Sequence, residues 1–341
     1  LILNFNLKNI YKMKHIKYIA LAFIGGLSIS CETNFLEPVP EVAVSSAGYF
    51  QNDEQIETGV MGIYDAIQGV NSTSLDDNRG VQIEYYVTEM RSDNTRTKSQ
   101  EGEAAQFEEF NVTTQNGLVA NYYRSFFNVI YRANLVLDNL ENATAGSSAK
   151  FEAEAKFARA YAYFNLVRLF GDLPLVDALI GPLDTDIAFT RVPAANIYEL
   201  IVSDFEFAAN NLDNSQKNRA SRAAAQGLLA KVHLTLGNYT QAQVLCESVI
   251  GGDYSLASNF SDIFYNESNN EVIFAVGYNP GVEADSQDFS AEWMNGVGRT
   301  AGVNYVTNEA IEALEAFGGD RATLSYRQDL SQATQYQVTK Y

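Results

Sequence analysis

The chain has 341 residues, 46% of them hydrophobic and 12% aromatic. That supplies a large core for one or two domains and excludes a disordered polymer. The formal net charge is −19, and residues 1–30 carry four lysines and no acid, so the remainder stands at −23. Such a surface repels phosphate backbones and anionic headgroups, which argues against a nucleic-acid partner.

The N-terminus reads as a targeting signal. Lys14, His15 and Lys17 form a short basic region after Met13, and Tyr18 to Leu27 is an apolar run too short to span a bilayer comfortably. Residues 1–12 look like translated sequence upstream of a start at Met13. Ser28, Ile29 and Ser30 lead into Cys31, a pattern similar to a bacterial lipobox, although Leu27 lies four residues before the cysteine where three is usual. Cleavage there would leave Cys31 to carry lipid; the other reading is an ordinary secretory signal with an incidental cysteine. Residues 1–30 are thus assigned as upstream sequence and signal peptide, and 31–50 as lipid anchor and tether. Pro38 and Pro40 favour an extended course for that tether. The body is 51–341.

The body is expected to be mainly α, a tetratricopeptide-like helical-repeat core with long loops and a few short strands. Asn52 can cap a first helix with Gln55 three residues on, and Ile56, Val60, Ile63 and Ile67 mark its apolar stripe. Residues 71–115 read as a large loop with a short strand near 81–87. A helix over 116–140 places Val119, Tyr123, Phe126, Ile130, Ala133, Leu137 and Leu140 on one side. Another follows over 150–170, with Phe151, Ala155, Ala158, Ala162, Leu166 and Leu169 in step; Gly171 ends it and Pro174 prevents continuation. Pro193 opens the next helix, whose face is Ile197, Ile201, Phe205, Ala208 and Leu212.

Residues 221–250 form the clearest repeat unit. Ala225, Leu229, Val232 and Leu236 face inward on its first helix, and Gly237 and Asn238 turn the chain. Thr240 and Gln243 have capping-box spacing, and Ala242, Leu245, Val249 and Ile250 bury the second helix. The turn LGNYTQA resembles that of a tetratricopeptide repeat; a generic helical hairpin is the alternative. Cys246 reads as a small core residue. Residues 271–278 read as a strand, 279–305 as loop, and 308–317 as a further helix.

Signals for catalysis are sparse. His233 is the one histidine after the signal region, no zinc-ligand spacing is present, and neither a phosphate-binding loop nor a dinucleotide fingerprint occurs. Asp76, Asp77 and Asn78 could chelate calcium but lack EF-hand spacing, so a solvated loop is the preferred reading. With 42 acidic residues some carboxylate pair always looks suitable. The sequence reading therefore assigns no cofactor, no metal and no catalytic residue.

Several segments together resemble the SusD/RagB family of outer-membrane nutrient-binding lipoproteins. They are CETNFLEPVP (31–40), RAYAYFNLVRLFGDLPLV (159–176, the most specific), TRVPAANIYELIVSDF (190–205), RASRAAAQGLLAKVHLTLGNY (219–239) and the NEV-type stretch at 270–276. The resemblance implies a helical core docked on a SusC-like TonB-dependent porin, and a glycan site built from loops. It also implies a lipid-anchored location at the bacterial outer membrane, facing the cell exterior, and capture without cleavage. Members usually continue for a hundred residues or more beyond the point matching 341, which makes truncation the expectation. The loop 91–106 has no aromatic residue, unlike many members. Its polar residues Arg91, Asp93, Asn94 and Arg96 are candidate ligand contacts. Stacking would come from Tyr85, Tyr86 or Trp293, for each of which simple packing is an equal reading. A tetratricopeptide-like scaffold for envelope proteins, peptide capture and a carboxylate-dependent glycosidase are the competing functions.

Overall fold

The structure, a computed structural model, describes residues 46–69, 80–81, 83–98, 102–181, 183–266, 269–278, 293–294 and 304–339. The signal region, Cys31, the acidic cluster at 76–78 and most of 279–303 lie outside the described residues. The chain divides into two compact units, Leu1–Phe50 and Gln51–Tyr341. In the first, Ser46–Tyr49 forms one helical turn, α1.

The second unit begins with α2, Asp53–Gln68. Its start is as the sequence indicates: the Asn52 side chain accepts from Gln55 N at 3.1 Å. The Gln55 side chain reaches back to the amide of Gln51 rather than to that of the cap residue. Gly69 closes the helix in the left-handed conformation (φ 67°). Ile56, Val60, Ile63 and Ile67 are all buried.

Four helices follow in a stack, α5 (Gly117–Asp138), α6 (Ala145–Phe170), α8 (Ala194–Asn211) and α9 (Arg222–Thr235), with α10 (Tyr239–Ile250) packed on α9 and a short α11 (Phe260–Tyr265) after it. Each element packs mainly on its neighbour in the chain, α2 on α5, α5 on α6, α6 on α8 and α8 on α9. That is the geometry of a helical-repeat array, and it bears out the expected fold class. Two small elements, β2 (Leu173–Pro174) and β3 (Arg191–Val192), pair between α6 and α8 and flank α7 (Thr185–Phe189).

Helix α6 is the axis. It begins five residues earlier than the sequence reading and buries residues on every side. Phe157, Tyr163 and Leu166 are fully enclosed, and Ala153, Ala155, Ala158, Ala160 and Ala162 let neighbouring helices approach closely. Its charged member Arg159 is only 5% exposed. Arg159 donates to both carboxylate oxygens of Asp204 on α8 (2.7 and 3.0 Å). Its Nη1 donates to Asn134 Oδ1 on α5 (2.8 Å) and to the Asp177 carbonyl (2.7 Å). Asn134 in turn donates to the carbonyls of Val176 and Ala178. One guanidinium thereby fixes two helices and the connection after β2.

A second ion cluster locks α2. Arg219 pairs with Glu57 on α2 and with Glu154 on α6, the latter through Nη2 at 2.7 Å. Tyr64 donates to Glu154 (2.6 Å) and accepts from Ala220 N (2.8 Å).

Several expectations are corrected. Residues 81–87 do not form a strand: Glu84–Val87 is a single helical turn, α3, followed by a 3₁₀ turn at Glu89–Arg91. Ile83, Tyr85 and Val87 are buried alternately. Over so few residues this pattern serves a turn lying on α5 as well as a strand. The segment 102–115 is not loop throughout, because Ala105–Glu108 forms α4. The buried stripe of α5 keeps Phe126, Ile130 and Ala133 of the expected set but also takes in Asn121, Tyr122, Ser125, Val129, Asn134 and Val136, while Val119, Tyr123 and Leu137 are only half-buried; polar residues on the inner face hid its full width from a count of apolar positions. Residues 271–278 form no strand and pair with none among the described residues. They lie along the helices, Ala275 N donating to the Lys217 carbonyl (2.9 Å) and Phe274 packing edge-on against Phe157.

The second helix of the repeat unit is the largest departure. Only Ala242 and Val249 are buried on α10, while Cys246 is exposed and Ile250 is 74% exposed. Leu236 at the end of α9 is exposed too. Asn238, not Thr240, is the cap position, and no side-chain cap bond forms there. No further described helix covers this outer face, so helical spacing of apolar residues overstated its burial.

Replacing Asp204 with Asn removes the charge partner of a buried guanidinium. We expect a loss of about 3–5 kcal/mol, read as a lower urea midpoint at unchanged slope. Pairing Arg159→Met with Asp204→Leu should recover part of that loss, since both charges then leave together.

Candidate ligand-binding site

Away from the helix stack, residues 84–98 meet the C-terminal segment. Strand β1 (Thr95–Thr97) pairs antiparallel with β4 (Asn304–Val306), which pairs with β6 (Tyr336–Val338), itself the neighbour of β5 (Tyr326–Gln328). The sheet order is β1-β4-β6-β5. Helix α12 (Asn308–Phe317), whose limits match the sequence reading, is capped by Thr307, and α13 (Asp320–Ser325) follows it. The junction is tied by Thr307 N and Oγ1, which donate to the carbonyls of Asn94 (2.9 Å) and Asp93 (2.6 Å), and by a buried Lys98–Asp329 ion pair.

Close approach to the helix stack is also needed. A Cβ on Gly80 would lie 2.9 Å from Ser125 Cβ and 3.1 Å from the Phe126 ring. Glycine at this position lets the start of the α3 segment sit against α5.

Two open cavities flank the β1–β4 pair. The first, about 640 Å³, has Tyr85, Thr95, Trp293, Val306 and Val338 among its lining, Glu84, Thr88 and Glu89 on one wall and α12 with Arg321 on the other. The second, about 630 Å³, is lined by Asp93, Arg96, Tyr305, Thr307, Asn308, Glu309, Thr334 and Gln335. Alternation along β1 divides them: Thr95 faces one, Arg96 the other.

The candidate residues separate accordingly. Tyr85, Asn94 and Trp293 line the first cavity, and Asp93 and Arg96 line the second. Arg91 lines a third, smaller depression beside Phe107 and Phe110. Tyr86 lines none of the three; its ring lies 4.1 Å from that of Tyr85 and 6.4 Å from that of Phe107. The Tyr85 and Trp293 rings are 5.1 Å apart. Both side chains are buried, Trp293 to 2% exposure, so they hold up the first cavity by packing as well as lining it. Arg96 is held between Asp93 (3.7 Å) and Glu108 (3.3 Å). Glu89 accepts from Asn94 Nδ2 (3.1 Å) and Ser92 Oγ (3.3 Å).

The sequence reading missed Glu84, Thr88, Glu309, Arg321 and Gln335. Their only signal was proximity to 91–96 for the first two; for the others, pairing of β1 with a strand over 200 residues away brings them in. Burial raises the Glu84 carboxyl above its ordinary value, partly opposed by the charges of Arg168 and Lys231. Among the described residues no group of three or more His, Cys, Asp or Glu side chains is arranged to hold a metal ion. No described helix is long and apolar enough to cross a membrane.

Comparison with known proteins gives concordant results. A sequence profile of the SusD-like group, described as starch-binding and associating with the outer membrane, matches residues 34–234. A SusD-like protein of Formosa agariphila is 28% identical over 78% of the chain and 52% of its own length. A SusD-like protein of Bacteroides ovatus is 26% identical over 94% of the chain and 58% of its own length. The chain thus spans about half the length of the curated relatives it matches. A solved structure of a laminarin-binding SusD-like protein shares the fold, with a TM-score of 0.69 at 21% identity over 85% of this chain and 72% of the other.

The Glu84 shift carries a pH prediction. The folded state holds this proton more tightly than the unfolded chain does. The contribution is therefore favourable below the unfolded value of about 4.3 and is lost as pH rises through the raised folded value. Glu84→Gln should be more stable than the parent protein at neutral pH, with the difference vanishing in acid, as followed by thermal melts across a pH series.

Proposed function

The chain belongs to the SusD-like family, and from that premise we propose that it captures an oligosaccharide or polysaccharide at the cell surface and passes it to a SusC-like TonB-dependent porin. The observation that carries the reading is the pair of cavities at the β1–β4 junction. They are open, of ligand-pocket size, and lined by polar groups, with the packed rings of Tyr85 and Trp293 in the lining of the first. The profile description of starch binding and the laminarin bound by a protein of the same fold agree with it.

In this reading Asn94 and Thr88 present polar groups to the sugar in the first cavity, above the rings of Tyr85 and Trp293. Asp93 and Arg96 do so in the second. Arg91 and Tyr86 stand outside both, and we assign them no direct role in these two cavities. The protein binds without cleaving, because a rigid binding platform needs no nucleophile or metal. Lipid on Cys31 holds it at the outer membrane, facing outward. More than one acyl chain is what makes such anchoring stable.

A second reading, a tetratricopeptide-like scaffold for envelope proteins, is favoured by one observation. Leu234, Leu236, Tyr239, Val244, Ile250 and Leu256 are all exposed in or just after the α9–α10 hairpin. Monomeric surfaces seldom gather apolar side chains without a use.

Native gels containing single polysaccharides separate the two. Retarded migration in at least one gel, with no new reducing ends, is the expected result. Asn94→Ala should weaken that retardation about tenfold, the scale of one lost hydrogen bond. A folded protein that ignores every polysaccharide yet copurifies with envelope proteins would replace capture by the scaffold. For the anchor, Cys31→Ala should move the protein from the detergent phase to the aqueous phase on detergent partitioning. An unchanged partition would remove lipidation from the account.

A further inference from the structure

Resting on the capture reading, we infer that the site takes an uncharged, hydroxyl-rich glycan and discriminates against sulfated and uronate chains.

The first argument is charge. The first cavity sets two carboxylates, Glu84 and Glu89, against one guanidinium, Arg321. That guanidinium lies over the Phe260 ring at 5.4 Å. The second cavity sets Asp93 and Glu309 against Arg96, whose charge is already met by Asp93 and by Glu108 outside the cavity. Neither cavity has a cation in excess, and each has an acid in excess. An anionic chain entering either cavity meets like charge in a partly desolvated setting, where repulsion is stronger than in water.

The second argument is hydrogen-bond sense. Thr88 Oγ1 already donates its proton to the Glu84 carbonyl (2.8 Å), so it offers a ligand lone pairs. Asn94 Nδ2 donates one proton to Glu89. The Glu84, Glu89 and Glu309 carboxylates accept only. Donors such as Arg321 and Asn308 share these walls, but the acceptors among them are best met by a ligand that donates. Sugar hydroxyls donate, whereas sulfate and carboxylate oxygens do not at neutral pH. Charge and donor–acceptor sense both select against anions.

The experiment uses the full chain with a neutral β-glucan, a galactomannan and a xylan as one set, and alginate and carrageenan as the other. Binding is measured by native affinity gels and calorimetry at physiological salt. At least one neutral glycan should bind, and both anionic polymers should bind about tenfold more weakly or not at all. A Glu84→Gln, Glu309→Gln variant, checked for folding by circular dichroism, should narrow that gap by weakening the exclusion of anions. Equal or tighter binding of alginate or carrageenan overturns the inference and leaves capture standing. An unchanged gap in the folded variant removes these two carboxylates as its cause. Failure of every polysaccharide in both sets overturns capture itself.

Discussion

The arrangement depends first on a buried guanidinium. Arg159 sits in the middle of the most enclosed helix, and its hydrogen bonds are divided among a carboxylate on α8, an amide on α5 and a backbone carbonyl beyond β2. A buried cation with any of these missing is costly, so the three partners are mutually required. The alanines of α6 allow the helices to come close; Arg159 sets where along their lengths they meet. Apolar packing alone would tolerate a slip of one turn between α6 and α8. A bidentate contact to Asp204 would not.

The site stands on this stack but is not part of it. It is made where a short excursion between α2 and α5 pairs with a C-terminal strand. The stack fixes one side of that excursion through Gly80 against α5, and the sheet fixes the other through Thr307 and the Lys98–Asp329 pair. A rigid frame carrying a separately built polar surface suits the proposed capture role, because the surface can change while the frame is kept.

This division explains what was legible in the sequence. Helices bounded by Asn52 and Gly171 carry their signals within a few residues, so apolar period and caps find them. The resemblance to SusD-like proteins was equally local, carried by the segments at 159–176 and 219–239. What was hidden is long-range. Asn121 and Asn134 on an inner face read as surface residues until their partners are known. The strand at 95–97 has no period of its own; it is a strand because 304–306 lies beside it. The outer helix of the repeat failed in the opposite sense: its spacing promised burial for Cys246 and Ile250, but spacing shows only that residues share a face. Of the candidate site residues, Asp93, Asn94 and Arg96 reach the two cavities because the 91–98 segment crosses between them. Arg91, only a few residues away, points into a different depression.

Arg219 has a bearing on how the molecule comes into being. Its partner Glu57 lies 162 residues earlier in the chain, and Tyr64, in the same helix as Glu57, waits as long for Ala220. At about 5–20 residues per second Glu57 waits roughly ten to thirty seconds for that partner, whereas Asp65, Tyr64 and Asp53 meet Arg132, Glu154 and Thr144 sooner. During that interval its row of four isoleucine and valine side chains has only α5 and α6 to lean on. A chain built this way completes the anchoring of α2 only after α8 has been made. Until residue 219 has arrived, Glu57 and Glu154 lack the cation they share, and α2 is held less firmly than in the finished fold.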